Sequence, residues 1–351
     1  MNFVGKESSY YPVNGNEQVK GVSWEELGLS PKAVSFMKEI IARYPRPASE
    51  EESGEEADFK KNPNHEESIY IGLLAELVAQ HGVQDRQWMG DNVSVQRVSS
   101  HTDFQDKYDL RLEVKPVPSG KNEPEETEPL VIGLDVTMIT PGEVSREVND
   151  QVSVTSDLLL GKYARILKKF VSPGTDNEKD VIPVLPVYLP YKLMVQVAEE
   201  AAQKYIEDQQ DEQAERSSVE TVAAVIMNEN LLFSIQELAE GMLKACRSDV
   251  DNQVPKPSED LAGFLDKVLN FEDQSLEGEL GQIKRYDQKN NTCLEECLRA
   301  YYKMARQVAS NLETLGYPQL LEEIKSKDPK AYQFYKEYTN YQANTDPERV
   351  R

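Results

Sequence analysis

Cysteine and histidine are scarce in this chain, with three of each in 351 residues. Cys246, Cys293 and Cys297 are too few to make a disulfide scaffold of this length. Cys293 and Cys297 lie four apart in a helical pattern and so share a face, but no histidine is near them in sequence. They read as small buried apolar side chains rather than zinc ligands. Long apolar runs are also missing. A membrane span needs about 18 consecutive apolar residues. The best run, Val181 to Tyr191, is short and interrupted by Pro183, Pro186 and Pro190. The opening Met-Asn-Phe-Val-Gly-Lys-Glu-Ser has no apolar segment of the signal-peptide kind. No membrane contact and a cytoplasmic location are the default expectations. Basic charge is short as well: 39 Lys and Arg stand against 62 Asp and Glu, a net charge of -23. That balance excludes a protein that coats nucleic acid with positive charge, so any nucleic-acid surface has to be local. No glycine-rich phosphate loop, nucleophile elbow or paired-histidine zinc motif is present.

What is there reads as a mixed α/β protein in three parts. Residues 1–62 form a polar leader, a helix and an acidic linker. Ser23 with Glu26 fits a capping box, and Ser30-Pro31 fits a second helix start. Val34, Met37, Ile40 and Ile41 then repeat with helical period, and Pro45 and Pro47 end the helix. The Glu-rich run from Glu50 to Asp58 is a solvated linker, because hard-ion sites need spaced ligands on a rigid frame.

Residues 63–248 form the α/β core. Ile69, Leu73, Leu74, Leu77 and Val78 make a helical stripe that Gly82 closes. Strands are predicted over Val93–Val98, Tyr108–Lys115 and Leu130–Met138, the last apolar enough to be covered on both faces. A long helix over 144–171 and a strand over Val181–Leu189 follow, the prolines arguing for an edge strand or a short one. Then come a helix over 191–214, a segment Val219–Met227 that suits either a strand or a buried helix, and a helix over Leu231–Cys246. Residues 249–351 read as a helical region suited to a protein partner. Its tyrosines Tyr332, Tyr335, Tyr338 and Tyr341 form a packing stripe rather than a base-stacking platform.

Three carboxylates stand out in the core. Glu67 lies near the start of the first core helix. Asp109 opens the second strand, in Asp-Lys-Tyr-Asp-Leu-Arg-Leu. Asp135 interrupts the apolar strand Val-Ile-Gly-Leu-Asp-Val-Thr, where a carboxylate is expensive unless paired, hydrogen-bonded or bound to metal. Alternation puts Gly133, Asp135 and Thr137 on one face of that strand. Adjacent antiparallel strands can bring Asp109 and Asp135 to roughly 4.5–5.5 Å between Cβ atoms. Such oxygen pairs suit Mg2+ or Mn2+.

The order of a helix bearing Glu67, a strand with Asp109, a hairpin return to a strand with Asp135 and then a helix resembles the PD-(D/E)XK nuclease superfamily. The resemblance covers residues 63–200. It implies an αβββαβ core of restriction-endonuclease type. In that core Glu67, Asp109 and Asp135 would hold one or two Mg2+ or Mn2+ ions for phosphodiester hydrolysis of DNA or RNA, beside a lysine that positions or activates the attacking water. Two residues after Asp135, where the pattern has lysine, stands Thr137. Lys162 is the substitute on the following helix. The segment 158–175 holds Lys162, Arg165, Lys168 and Lys169; Lys162, Arg165 and Lys169 share a helical face. That stripe is either a phosphate-contacting surface, with Arg165 and Lys169 on the nucleic acid, or a solvated amphipathic face. Glu113-Val114-Lys115 is a literal Glu-x-Lys, but it follows Asp109 on the same strand, and an alternating charged face is also what a half-exposed strand shows. Three readings are open: a metal-dependent nuclease, a catalytically inactive nuclease-fold scaffold or protein-binding module, and an unrelated α/β protein in which Asp135 is structural.

Overall fold

A computed structural model describes residues 28–47, 66–98, 108–115, 129–139, 170–171, 178–179, 182–207, 216–247 and 294–345. Helix α1 (Pro31–Arg43) begins as its sequence predicts. The Ser30 side chain accepts a hydrogen bond from the Ala33 N–H and Pro31 takes the first turn, where no N–H is needed. The Ser30 hydroxyl and N–H both donate to the Glu199 carboxylate, at 2.6 and 2.5 Å, which docks the start of α1 on a later helix. Ala33, Val34, Phe36, Met37 and Ile40 form its buried face.

Helix α2 (Glu66–Gln84) buries Leu73, Leu74, Leu77 and Val78. It continues two residues past Gly82, so that glycine does not end it. Gly82 is instead a point of close approach: a Cβ there would stand 2.3 Å from the ring of Trp88, which is fully buried.

Four strands make the main sheet: β1 (Val93–Arg97), β2 (Leu110–Val114), β3 (Leu130–Ile139) and, numbered last in chain order, β6 (Val184–Pro190). The order is β1-β2-β3-β6, antiparallel for the first two pairings and parallel for β3 with β6. The parallel pairing requires a crossover between β3 and β6, and most of residues 140–181 lie outside the described residues. Leu110, Leu112, Ile132, Leu134, Val136, Leu185 and Val187 point into the main core. The opposite face carries a smaller cluster of Val98, Tyr108, Val131 and Ile182. There the Tyr108 ring lies over Gly133, leaving no room for a Cβ, which would come within 2.7 Å.

The helix expected over 144–171 does not extend to its predicted end. Phe170–Val171 is a short strand, β4, paired antiparallel with β5 (Glu178–Lys179). The basic helix expected over 158–175 is corrected only at Phe170–Val171, and its residues 158–169 and 172–175 lie outside the described residues. The physical reason is local. An aromatic and a β-branched residue precede Ser172-Pro173-Gly174, where proline disfavours helix at the residue before it and Pro-Gly favours a turn.

Helix α3 (Tyr191–Glu207) follows β6 directly. Val219–Met227 proves to be helix, the first part of the single 30-residue α4 (Ser218–Arg247). A capping box starts it. The Ser217 Oγ accepts from the Glu220 N–H at 3.1 Å, and the Glu220 carboxylate accepts from the Ser217 N–H at 3.0 Å.

The edge position predicted for the proline-bearing strand holds among the described residues, and α4 explains how it is tolerated. Asn230 of α4 pairs with the backbone of Tyr188 like a neighbouring strand, accepting from its N–H at 3.0 Å and donating to its C=O at 2.8 Å. Ser234 donates to the Pro186 C=O at 2.7 Å and Tyr301 to the Val184 C=O at 3.2 Å. Pro186 has the same parity as Tyr188, so its missing N–H falls on this outer side, where no ladder needs it.

The remaining helices are α5 (Leu294–Thr314), α6 (Gln319–Lys327) and α7 (Pro329–Thr345). Met304, Ala305, Val308, Leu321, Ile324 and Tyr338 belong to the same hydrophobic cluster as the sheet and α1. Among the described residues, these apolar side chains of α5, α6 and α7 pack on the core. Tyr338 is buried, Tyr332 and Tyr335 pack against the core, and successive rings lie 6.0 and 6.4 Å apart. The side chain of Tyr341 lies outside the described residues. No helix among the described residues is long and apolar enough to cross a membrane.

Candidate functional site

Asp109 sits one residue before β2, at a bend, and it grips β3 on both sides of Asp135. Its N–H donates to the Leu134 C=O at 2.8 Å, and its Oδ2 accepts from the Val136 N–H at 2.8 Å. Val136 presents that N–H toward β2 beyond the point where β2 begins, so the carboxylate continues the ladder that the strand does not. Asp109 is 1% exposed, whereas Asp135 is half-buried on the face it shares with Thr137. The structure thus sets Asp109 beside the backbone on either side of Asp135.

Behind Asp109 lies a buried ion network that the sequence reading missed. Glu76 of α2 is fully buried; its Oε2 accepts from Arg46 at 2.5 Å and from Arg97, the last residue of β1, at 3.3 Å. The Arg97 side chain is 1% exposed, and its Nε has no hydrogen-bond partner. Burial lowers its pKa to about 10, opposed by the charge of Glu76 and, more weakly, that of Asp109. The Val98 N–H donates to the Asp109 C=O at 3.1 Å, which fixes the backbone beside Arg97 to that beside Asp109. Signals for these residues exist in hindsight. Glu76 interrupts the stripe Leu73, Leu74, Leu77 and Val78, and Arg97 shares the inward face of β1 with Val93 and Val95.

The other predicted positions divide clearly. Glu67 is in the first turn of α2, and its side chain lies outside the described residues. Lys162, Arg165 and Lys169 lie outside them altogether. Lys115 follows β2 at the end opposite Asp109, about 20 Å along the strand at the usual rise per residue. Its backbone is held by Asn92, through an N–H to C=O bond of 2.9 Å and an amide bond of 3.1 Å. Glu113 is paired with Arg111 at 2.5 Å and stands opposite Val131, four residues before Asp135 on β3.

No group of three or more Asp, Glu, His or Cys side chains among the described residues is arranged to hold a metal ion. The pair Asp109 and Asp135 matches a hard divalent cation in the chemistry of its donors, and the third carboxylate that the resemblance implies, Glu67, has no described side chain. Comparison with protein-family models, with curated proteins and with solved structures gave no match to this chain.

Proposed function

We propose that the chain is a divalent-metal-dependent nuclease that hydrolyses phosphodiester bonds of DNA or RNA, with a restriction-endonuclease-like core of the PD-(D/E)XK kind. The observation that carries this reading is the grip of Asp109 on the residues flanking Asp135. It lies in a four-stranded mixed sheet of a mixed α/β fold, which is compatible with the αβββαβ core that the resemblance implies. Asp109 and Asp135 would hold Mg2+ or Mn2+, with Glu67 as the third ligand. Bound there, the ion would polarise a phosphoryl oxygen and lower the pKa of a water. The chain's own part is to fix the carboxylates. The Val136 N–H orients Asp109, and the pairing of β3 between β2 and β6 holds Asp135. Lys162 in the place of the motif lysine, and Arg165 and Lys169 on the phosphates, complete the proposal.

A second reading, a catalytically inactive nuclease-fold scaffold or protein-binding module, is favoured by the deep burial of Asp109 and its backbone bond. The test is cleavage of plasmid, single-stranded DNA and RNA by the purified full chain with Mg2+ or Mn2+, with EDTA, and with Asp135→Ala. Metal-dependent cutting that the substitution removes supports the nuclease. Intact substrates under every condition, with no metal bound, support the inactive scaffold.

A further inference from the structure

Glu229 stands within α4 between Met227, Asn228, Asn230 and Leu231, all of which are buried. Its Oε1 accepts from the Tyr335 hydroxyl of α7 at 3.0 Å, and Tyr317, in the turn between α5 and α6, hydrogen-bonds to the same carboxyl. The two phenol oxygens lie 3.4 Å apart. One carboxyl and two phenols thus join three segments of the chain. Glu220, earlier on the same helix, meets Arg86 and Lys204, whereas no charged group among the described residues acts on Glu229 from the elements packed against α4. From α7 come Tyr335 and Tyr338, the latter accepting from Asn230 at 3.2 Å. From β6 comes Tyr188, whose backbone Asn230 holds. Asn311 of α5 is bonded to Asn228 at 3.0 Å, and Lys204 of α3 is spent on Glu220. Lys325 of α6 pairs with Glu322 and covers the Tyr332 ring at 5.4 Å.

We propose that Glu229, Tyr317 and Tyr335 form a pH-operated latch, which holds α7 and the turn before α6 on α4 while Glu229 is protonated and releases them as it ionises. The physical reason is desolvation. A protonated carboxyl both gives and accepts hydrogen bonds, so it fits among phenols without a charge to solvate. An ionised one in the same place has neutral donors and no cation. Burial outweighs those donors and raises the Glu229 pKa. Burial and the Glu229 charge also push the Tyr335 hydroxyl up, so the phenol stays protonated throughout. Moving α7 outward lets water reach the carboxylate. The sign follows from linkage: the closed form is most favoured below the ordinary glutamate range, and its advantage is lost as pH rises through the folded value.

The test is amide hydrogen exchange of the full chain across about pH 4 to 8, with the intrinsic exchange rates divided out and α2 as the internal reference. In wild type, α7 should lose protection relative to α2 by about tenfold for each pH unit between the ordinary glutamate range and the folded value, then level off. Glu229→Gln should hold the ratio constant. A wild-type ratio that does not change with pH, or one that changes equally in Glu229→Gln, overturns the proposal. Loss of protection shared equally by α2 overturns it too, because that is global destabilisation and not release of α7. A measurement on the unaltered protein covers the case in which Glu229→Gln does not fold. The side-chain carboxyl carbon of Glu229, followed by nuclear magnetic resonance, should titrate above the ordinary glutamate range. A midpoint within or below that range overturns the latch.

Discussion

Glu220 and Asp109 are both 1% exposed, and both are fixed by backbone N–H groups at the start of an element. Their surroundings differ. Glu220 accepts from the Ser217 N–H at 3.0 Å, from Arg86 through two nitrogens at 3.0 and 3.2 Å, and from Lys204 at 3.0 Å. Burial pushes its carboxyl up, but these hydrogen bonds and cations outweigh it and hold the pKa below the ordinary value. Arg86 and Lys204 are 13% and 30% exposed, so water screens their excess charge. Asp109 accepts from a backbone N–H of β3, the charge of the 1% exposed Arg97 acts on it from beyond ion-pair contact, and Asp135 stands in sequence between the two residues it grips. A carboxylate ringed by donors that reach solvent is a structural tie. Asp109 is held instead by backbone groups of β3 on both sides of Asp135. That difference separates the two sites as targets for experiment.

The largest effect should fall on the Asp109 side. If the nuclease reading holds, Asp135→Ala lowers the cleavage rate by about a thousandfold or more, equivalent to roughly 4 kcal/mol of lost transition-state stabilisation. The same substitution should change the urea midpoint little, because Asp135 is only half-buried. Single-turnover cleavage and equilibrium unfolding of one preparation test both statements. A thousandfold loss of cutting accompanied by an equal loss of folded protein would remove the contrast.

The converse applies to Glu220. Glu220→Gln leaves Arg86 and Lys204 facing a neutral amide and should cost about 3 kcal/mol, the range for breaking one side of a buried pair. Urea unfolding measures it, and any metal-dependent cutting of the folded fraction should stay at the wild-type level. A stability loss below about 0.5 kcal/mol, the usual bound for a surface substitution, would show that Glu220 is not the tie described.

How far each side could be read in advance follows from the local signal. Asp135 is conspicuous because one charge breaks an apolar strand, and the face it shares with Gly133 and Thr137 is the one observed. Ser30-Pro31 declares the start of α1 through a cap and a missing donor. Glu76 and Arg97 were not legible because each sits at a core position of an otherwise regular stripe, and only the packing of α2 on β1 reveals that they meet. Val219–Met227 stayed ambiguous because a continuous apolar run has no period, although the capping box Ser217 and Glu220 two residues earlier decides for helix. The helix predicted over 144–171 overran at its end, where Phe170 and Val171, an aromatic and a β-branched residue shortly before Pro173-Gly174, form a strand.

A smaller contrast lies in pH. Asp85 resembles Glu220: burial raises its pKa, but hydrogen bonds from His81, at 2.7 Å, and from Tyr44, together with the charge of Arg43, bring it below the ordinary value. Both groups contribute stability that is present above the unfolded carboxylate range, about pH 4, and lost as pH falls through their folded values. Glu229 has the opposite sign. Burial raises its pKa despite hydrogen bonds from Tyr317 and from Tyr335 at 3.0 Å. Its contribution is present below the unfolded range and lost as pH rises through its folded value. Melting temperatures between pH 3 and 7 should therefore show a shallower acid decline in Glu220→Gln and a shallower decline on the neutral side in Glu229→Gln. Parallel curves for wild type and both variants would mean that neither carboxyl titrates differently on folding.

The smallest effect concerns Ser30, which also binds a carboxylate but as a donor at the protein's margin. Its Oγ serves Glu199 at 2.6 Å and the Ala33 N–H at 3.3 Å at once, so one hydroxyl caps α1 and ties it to α3. Ser30→Ala should cost about 1 kcal/mol, the usual value of an N-cap. Ser30→Gly isolates the tie, because glycine is tolerated at the cap position to within a few tenths of a kcal/mol but has no hydroxyl for Glu199. A loss in Ser30→Gly equal to that in Ser30→Ala would assign the stability to the Glu199 bond, while a near-neutral glycine would assign it to the cap. In either case the Asp109 side is untouched, so Mn2+ affinity in both variants should match wild type.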